Sequence, residues 1–292
     1  MSNTTLKKLS YIQRNGDRHW VGDGFPVQTV FSYNDAAAEL SPFLLLDYAE
    51  PRKFSPSDKK RGVGEHPHRG FETVTIVYSG EVEHRDSAGG GGKISSGDVQ
   101  WMTAASGLVH EEFHGHDFTR DGGTFEVAQL WVNLPKKDKM SKPAYQAITS
   151  ETIPSVELPK GGLVRVIAGQ FRDGRGPAKT HTPMNVWDVR LVSGQSYEFP
   201  IPEGWAAGLF VASGSIRLPE GESANASELA VTERKGDSIR FEALEDSKLL
   251  LLSGEPIDEP IVGYGPFVMN TRAEIQQAMI DYQTGKMGHL SA

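Results

Sequence analysis

His66-Pro67-His68 places two imidazoles at i and i+2, a spacing that points both side chains to one face of an extended strand. His110 and Glu112 repeat the spacing, and His110 stands 42 residues after His68. If the two strands are neighbours in a barrel, three neutral nitrogens and one carboxylate oxygen converge on one interior point. That donor set suits Fe(II), Mn(II), Ni(II), Cu(II) or Zn(II). The chain has no cysteine, which removes thiolate ligands and disfavours a closed structural zinc site. The carboxylate has a rival. Glu72 shares the strand parity of His66 and His68, whereas Glu111 points the other way. The repeated two-residue spacing favours Glu112, with Glu72 as the alternative.

Other histidines read blandly. His19, His84, His181 and His289 have no partner at ligand spacing, and His114 with His116 falls in a polar, Gly-containing stretch that reads as loop. Gln100, Trp101 and Met102 stand near the metal strands and could line a pocket, although Trp101 fits a core equally well. Phe71 and Tyr78 read as packing residues. The glycine run Gly89–Gly92 is a hairpin tip and not a phosphate loop, because Lys93 is followed by Ile94 and lacks the required Gly-Lys-Ser/Thr order.

Short alternating β-rich runs must position these residues. Thr73–Tyr78, Val127–Val132, Val164–Ala168 and Val186–Val192 are separated by Gly, Pro, Asp and Asn, the pattern of an all-β barrel or sandwich. One helix is expected over Ala273–Tyr282, opened by Thr271 and Glu274 at capping-box spacing. An internal repeat doubles the barrel. Ser79-Gly80 is followed after 17 residues by Gly97-Asp98, and Ser213-Gly214 after 22 residues by Gly236-Asp237. The fold class is therefore all-β, with two tandem barrels and a C-terminal helix. Residues 1–140 form an N-terminal metal-binding barrel and 141–292 a metal-free one carrying the helix, joined within the Lys-, Pro- and Ser-rich stretch from Leu134 to Gly162. Transferring the metal positions through the repeat gives Pro200, Pro202, Leu249 and Leu251, so one ion per chain is expected.

The bulk properties narrow the function classes. A formal net charge of -8 argues against nucleic-acid binding along an extended basic surface, and Arg52, Lys53, Lys59, Lys60 and Arg61 read as a solvated loop. No signal-peptide-like start and no run of about 18 apolar residues is present, so a cytoplasmic protein without membrane association is expected, with nuclear residence open in a eukaryote.

The segments His66-Pro67-His68-Arg69-Gly70-Phe71-Glu72-Thr73-Val74-Thr75, Gly97–Ala104 and Gly107–Glu112 closely resemble the pirin family of the cupin superfamily. Ser41–Tyr48 and Gly265–Thr271 are also similar to family segments, so the likeness covers most of the chain. It implies two cupin (jelly-roll) barrels and one divalent ion, Fe(II) first and otherwise Ni, Cu, Mn, Co or Zn, in the N-terminal barrel. His66, His68, His110 and Glu112 would be its ligands, which sides with Glu112 over Glu72. One departure is Ala105, where the family more often has Gly. The implied activity is quercetin 2,3-dioxygenase-type ring cleavage of a flavonol or related enol-bearing aromatic, with dioxygen as co-substrate and Glu112 as catalytic base. The alternative is a metal-dependent, redox-gated interaction protein or transcriptional regulator with a protein partner.

Overall fold

The computed structural model describes residues 4–14 and 16–290, and nearly all of its regular structure is β. Alternating patterning explains this, because strands such as Glu81–Asp86 and Ser196–Pro200 bury every second residue. The chain divides into two units. One comprises Asp17–Asp35, Leu44–Ser150 and the residues from Ile257 onward, and the other comprises the described residues up to Gly16, Ala36–Phe43 and Glu151–Pro256.

In the first unit a sheet runs in the order Ala144–Ile148, Val99–Thr103, Phe71–Ser79, Gly123–Asn133, Phe43–Phe54, Phe25–Phe31 and Asp17–Val21. A second sheet follows the order Gly62–His68, Leu108–His114, Glu81–Asp86 and Gly91–Ser95. The second unit repeats the plan strand for strand. Its large sheet runs Leu9–Gln13, Leu229–Thr232, Ala207–Ser213, Ser247–Gly254, Met184–Leu191, Leu163–Ala168 and Ser155–Glu157, and its small sheet runs Ser196–Pro200, Ser238–Ala243, Ser215–Arg217 and Ser223–Asn225. These are the two cupin barrels expected from the sequence.

Two expectations change. The expected domain boundary at 140/141 differs from the structural one, and both termini exchange units. Ala144–Ile148, read as part of a linker, covers the edge of Val99–Thr103, and Leu9–Gln13 does the same for Leu229–Thr232 in the other unit. An open edge of unpaired backbone groups needs a partner, and a Lys- and Pro-flanked strand supplies it without looking like core. The helix Arg272–Gln283 belongs to the unit containing His66 and His110. Its Thr271 Oγ1 accepts from Glu274 N at 3.2 Å as predicted.

The repeat is also shifted by one strand in its second half. Gly80 and Gly214 occupy equivalent turns, both with positive φ (93° and 82°). Gly97-Asp98 precedes Val99–Thr103, however, while Gly236-Asp237 precedes Ser238–Ala243, whose position in its sheet is that of Leu108–His114. The counterparts of the metal strands are therefore Ser196–Pro200 and Ser238–Ala243, and not the strand bearing Leu249 and Leu251. The new counterparts point Tyr197, Phe199, Ile239 and Phe241 into an apolar core with Trp187 and Phe171. Phe199 and Phe241 stack at 5.5 Å. The interior is apolar, as expected, but different residues fill it.

Candidate metal centre

Leu108–His114 pairs with Gly62–His68 so that His110 faces His66 and Leu108 faces His68. His66, His68 and His110 then converge, each offering a ligand atom within 4.8 Å of the others. Ring centroids lie 4.2 Å apart for His66 and His110 and 4.8 Å for His68 and His110. His68 and His110 are fully enclosed, and burial followed by repulsion from neighbouring imidazoles holds both well below the usual histidine range. They are neutral and carry lone pairs.

The polar atoms left over identify which lone pairs. His66 Nδ1 donates to the Gly64 carbonyl at 2.8 Å, leaving Nε2 available. His68 Nδ1 and His110 Nε2 are buried without a hydrogen-bond partner. Leaving such atoms unsatisfied costs about 1–3 kcal/mol each. Three imidazole nitrogens of this kind fit a divalent first-row ion.

Glu112 lies on the far side of His110. The ladder slips between His110 and Glu112, so Glu112 pairs with Val63 in place of Gly64, and it groups with His84 and His110 in a second set of ligand atoms within 4.8 Å. Gln100 Nε2 donates to Glu112 Oε1 at 2.9 Å, and Thr75 Oγ1 lies 3.3 Å from the same oxygen. Glu72 accepts from Thr103 Oγ1 at 2.7 Å and belongs to neither set among the described residues. The geometry favours Glu112 over Glu72 as the carboxylate near the histidines.

His84, dismissed as lone, is the residue sequence reasoning missed. It sits on Glu81–Asp86, the strand on the other side of Leu108–His114, with Glu112 as its cross-strand neighbour. Its ring Nδ1 is 3.2 Å from His110 Nδ1 and its Nε2 is 3.2 Å from Asp86 Oδ2, while Tyr145 stacks on it at 5.2 Å. Burial pushes the Asp86 carboxyl up, but hydrogen bonds from His84, Gly90 N and Ala88 N outweigh it and hold the group below the usual carboxylate range. The available signal was His84-Arg85-Asp86 directly after the Ser79-Gly80 turn, on one strand face. The glycine run closes this hairpin, and a side chain at Gly90 would strike Asp86 and Tyr145.

The remaining histidines separate cleanly. His114 Nε2 donates to the Gly24 carbonyl at 2.8 Å among Phe25, Phe54 and Phe125, a satisfied core histidine, and His116 opens the short helix His116–Asp121. Phe71 does more than pack: it meets His68 edge-on at 5.1 Å and stacks on Trp131 at 4.3 Å, which in turn stacks on Tyr33 at 6.3 Å.

The corner following His68 is pinned from several directions. Arg69 Nε donates to the Ser106 carbonyl at 2.7 Å, and its guanidinium pairs with Asp281 at 2.9 Å. Lys139 Nζ, buried, donates to the carbonyls of Gly70 and Val268 and to Asn133 Oδ1. Gly70 has φ 90°, and a Cβ there would lie 2.0 Å from the Val268 oxygen, so no other residue fits.

Residues 24–132 match the Pirin family and residues 186–288 the Pirin C-terminal cupin domain. A Pseudomonas aeruginosa protein provisionally named quercetin 2,3-dioxygenase is 53% identical over 96% of this chain and 98% of its own. This chain belongs to the pirin family. Human pirin is 37% identical over 85% of this chain and 83% of its own. A crystal structure titled quercetin 2,3-dioxygenase from Acinetobacter baumannii superposes with a TM-score of 0.95 at 50% identity, covering 98% of this chain and all of that one. Ala105 adopts φ 43°, a left-handed conformation that glycine takes without strain, and its carbonyl accepts from Gly70 N at 2.8 Å. No described helix is long and apolar enough to cross a membrane.

Proposed function

We propose that this pirin-family chain is a metal-dependent dioxygenase that opens the ring of a flavonol or a related enol-bearing aromatic, with His66, His68, His110 and Glu112 as metal ligands. The observation that carries the reading is the convergence of buried, unpartnered His68 Nδ1 and His110 Nε2 with His66. Its relatives' names supply the reaction class. A bound divalent ion, Fe(II) in first place, supplies Lewis acidity toward a coordinated hydroxyl and a route for electron exchange with dioxygen.

The chain's own residues then have assignable tasks. Glu112, aimed by Gln100 and Thr75, takes the proton of the substrate's enol hydroxyl. His66 is the least buried of the three histidines and marks the side open to substrate. Trp131, half-buried and stacked between Tyr33 and the buried Phe71, meets His68 edge-on at 5.4 Å and offers a surface suited to a flat ring system. In the quercetin-type outcome both oxygen atoms enter the products, the two bonds to the hydroxyl-bearing carbon break, and that carbon leaves as carbon monoxide.

Metal analysis combined with oxygen uptake over a panel of flavonols tests the proposal. Protein reconstituted with Fe(II), Mn(II), Co(II), Ni(II) or Cu(II) that binds its ion and consumes no oxygen would refute it. Glu112→Gln protein that still holds metal is expected to lose turnover by at least about 100-fold, the scale of a general base. Unchanged turnover would remove Glu112 from that role.

A further inference from the structure

We propose that Asp86 and His84 form a proton-ordered chain that fixes His110 as its Nδ1–H tautomer, so that the His110 Nε2 lone pair is held toward His66 and His68. This deepens the metal-site reading above and rests on it for its consequence, though the tautomer itself exists without the ion.

The order of protons follows from which atoms can donate. Asp86 Oδ1 accepts the backbone N–H groups of Ala88 and Gly90 at 2.8 and 2.9 Å, so the carboxylate is an acceptor anchored in the glycine turn. Its Oδ2 faces His84 Nε2 at 3.2 Å, which puts the His84 proton on Nε2. In the proposed chain His84 is the neutral imidazole, whose single proton is then the one on Nε2 and whose Nδ1 is a lone pair. The group facing that lone pair at 3.2 Å is His110 Nδ1, which must therefore donate. The His110 proton is thus spoken for, and Nε2 is left bare, buried and without any hydrogen-bond partner.

The chain also decides between the two candidate ligand sets. His84, His110 and Glu112 are close enough to hold an ion, yet His84 Nδ1 already accepts the His110 proton, so that set does not compete. His66, His68 and His110 keep their lone pairs. Tyr145, stacked on His84 at 5.2 Å and 9° and bonded through its hydroxyl to Gln100 Oε1 at 3.3 Å, holds the His84 ring in plane. Carboxylate–imidazole partners of this kind orient ligating histidines and raise their basicity, and losing them typically weakens metal affinity roughly 10–100-fold. His84 is a positioning residue, acting on the ion through His110.

The test reads the tautomer directly. In metal-free protein with nitrogen-15-labelled histidine, long-range proton–nitrogen correlation spectra are expected to show His110 protonated at Nδ1 and bare at Nε2, with assignment by His110→Gln. Protonation at Nε2 instead would overturn the chain. His84→Phe keeps a ring against Tyr145 but has no lone pair; it is expected to release the His110 proton to Nε2 and weaken Ni(II) binding about 10–100-fold in chelator competition. His84→Gln, which can accept from His110 and donate to Asp86, is expected to restore both. A His84→Phe protein with wild-type tautomer and wild-type Ni(II) affinity would sink the proposal. Wild-type protein that bound no divalent ion would sink the metal-site reading alone, since the tautomer spectrum stands independently of it.

Discussion

Acidifying the metal-free protein is expected to destabilise it through His68 and His110 before any carboxylate takes part. Both imidazoles are held well below their ordinary value of 6.5, burial being the largest cause. A group whose folded value is depressed in this way takes up its proton more readily in the unfolded chain. The penalty is negligible well above 6.5, grows as pH falls through it, and levels off only at the folded values. Between about pH 7.5 and about pH 5.5 the unfolded chain's uptake is worth about 1.4 kcal/mol per histidine, close to 3 kcal/mol for the pair. Asp281 does not blur this window. It is held at about 2 by hydrogen bonds from Lys286 and Arg69, so its stabilisation is complete above the ordinary carboxylate range and is lost only as pH falls toward about 2. Urea unfolding across the window, comparing wild type with the His68→Leu, His110→Leu double variant, isolates the effect: the variant's stability should fall by about 3 kcal/mol less. Parallel curves for the two proteins would refute the reasoning, because they would mean that the imidazoles are protonated in the folded state or solvated there.

Arg69→Met removes one side of a buried ion pair and leaves the Asp281 carboxylate to Lys286 and Gln277; a loss of about 3 kcal/mol is expected by chemical denaturation, at the lower end of the range for such deletions. Trp187→Ala empties a large, fully buried site in the core of the second barrel, and about 3–5 kcal/mol should be lost with Ni(II) affinity unchanged in chelator competition.

The local chemistry of this protein was written in its sequence. The i, i+2 spacing of His66 and His68 and of His110 and Glu112 follows from strand periodicity, and so did the all-β class, the doubled barrel and the Thr271–Glu274 helix start. Those features depend on neighbours a few residues apart, which a sequence displays directly. Strand order was decided only in three dimensions. It placed His84 and Asp86 beside His110 from 26 and 24 residues away, and it turned a Lys-rich stretch read as a linker into a turn holding the buried Lys139 and an edge strand, Ala144–Ile148, carrying Tyr145. It also moved the second barrel's counterparts of the metal strands from Leu249 and Leu251 to the Ser238–Ala243 strand, because a turn motif fixes a bend and says nothing about which sheet the next strand joins. Regular pairing with Glu81–Asp86 set Glu112 directly opposite His84, while the ladder to Gly62–His68 slips by one residue between His110 and Glu112.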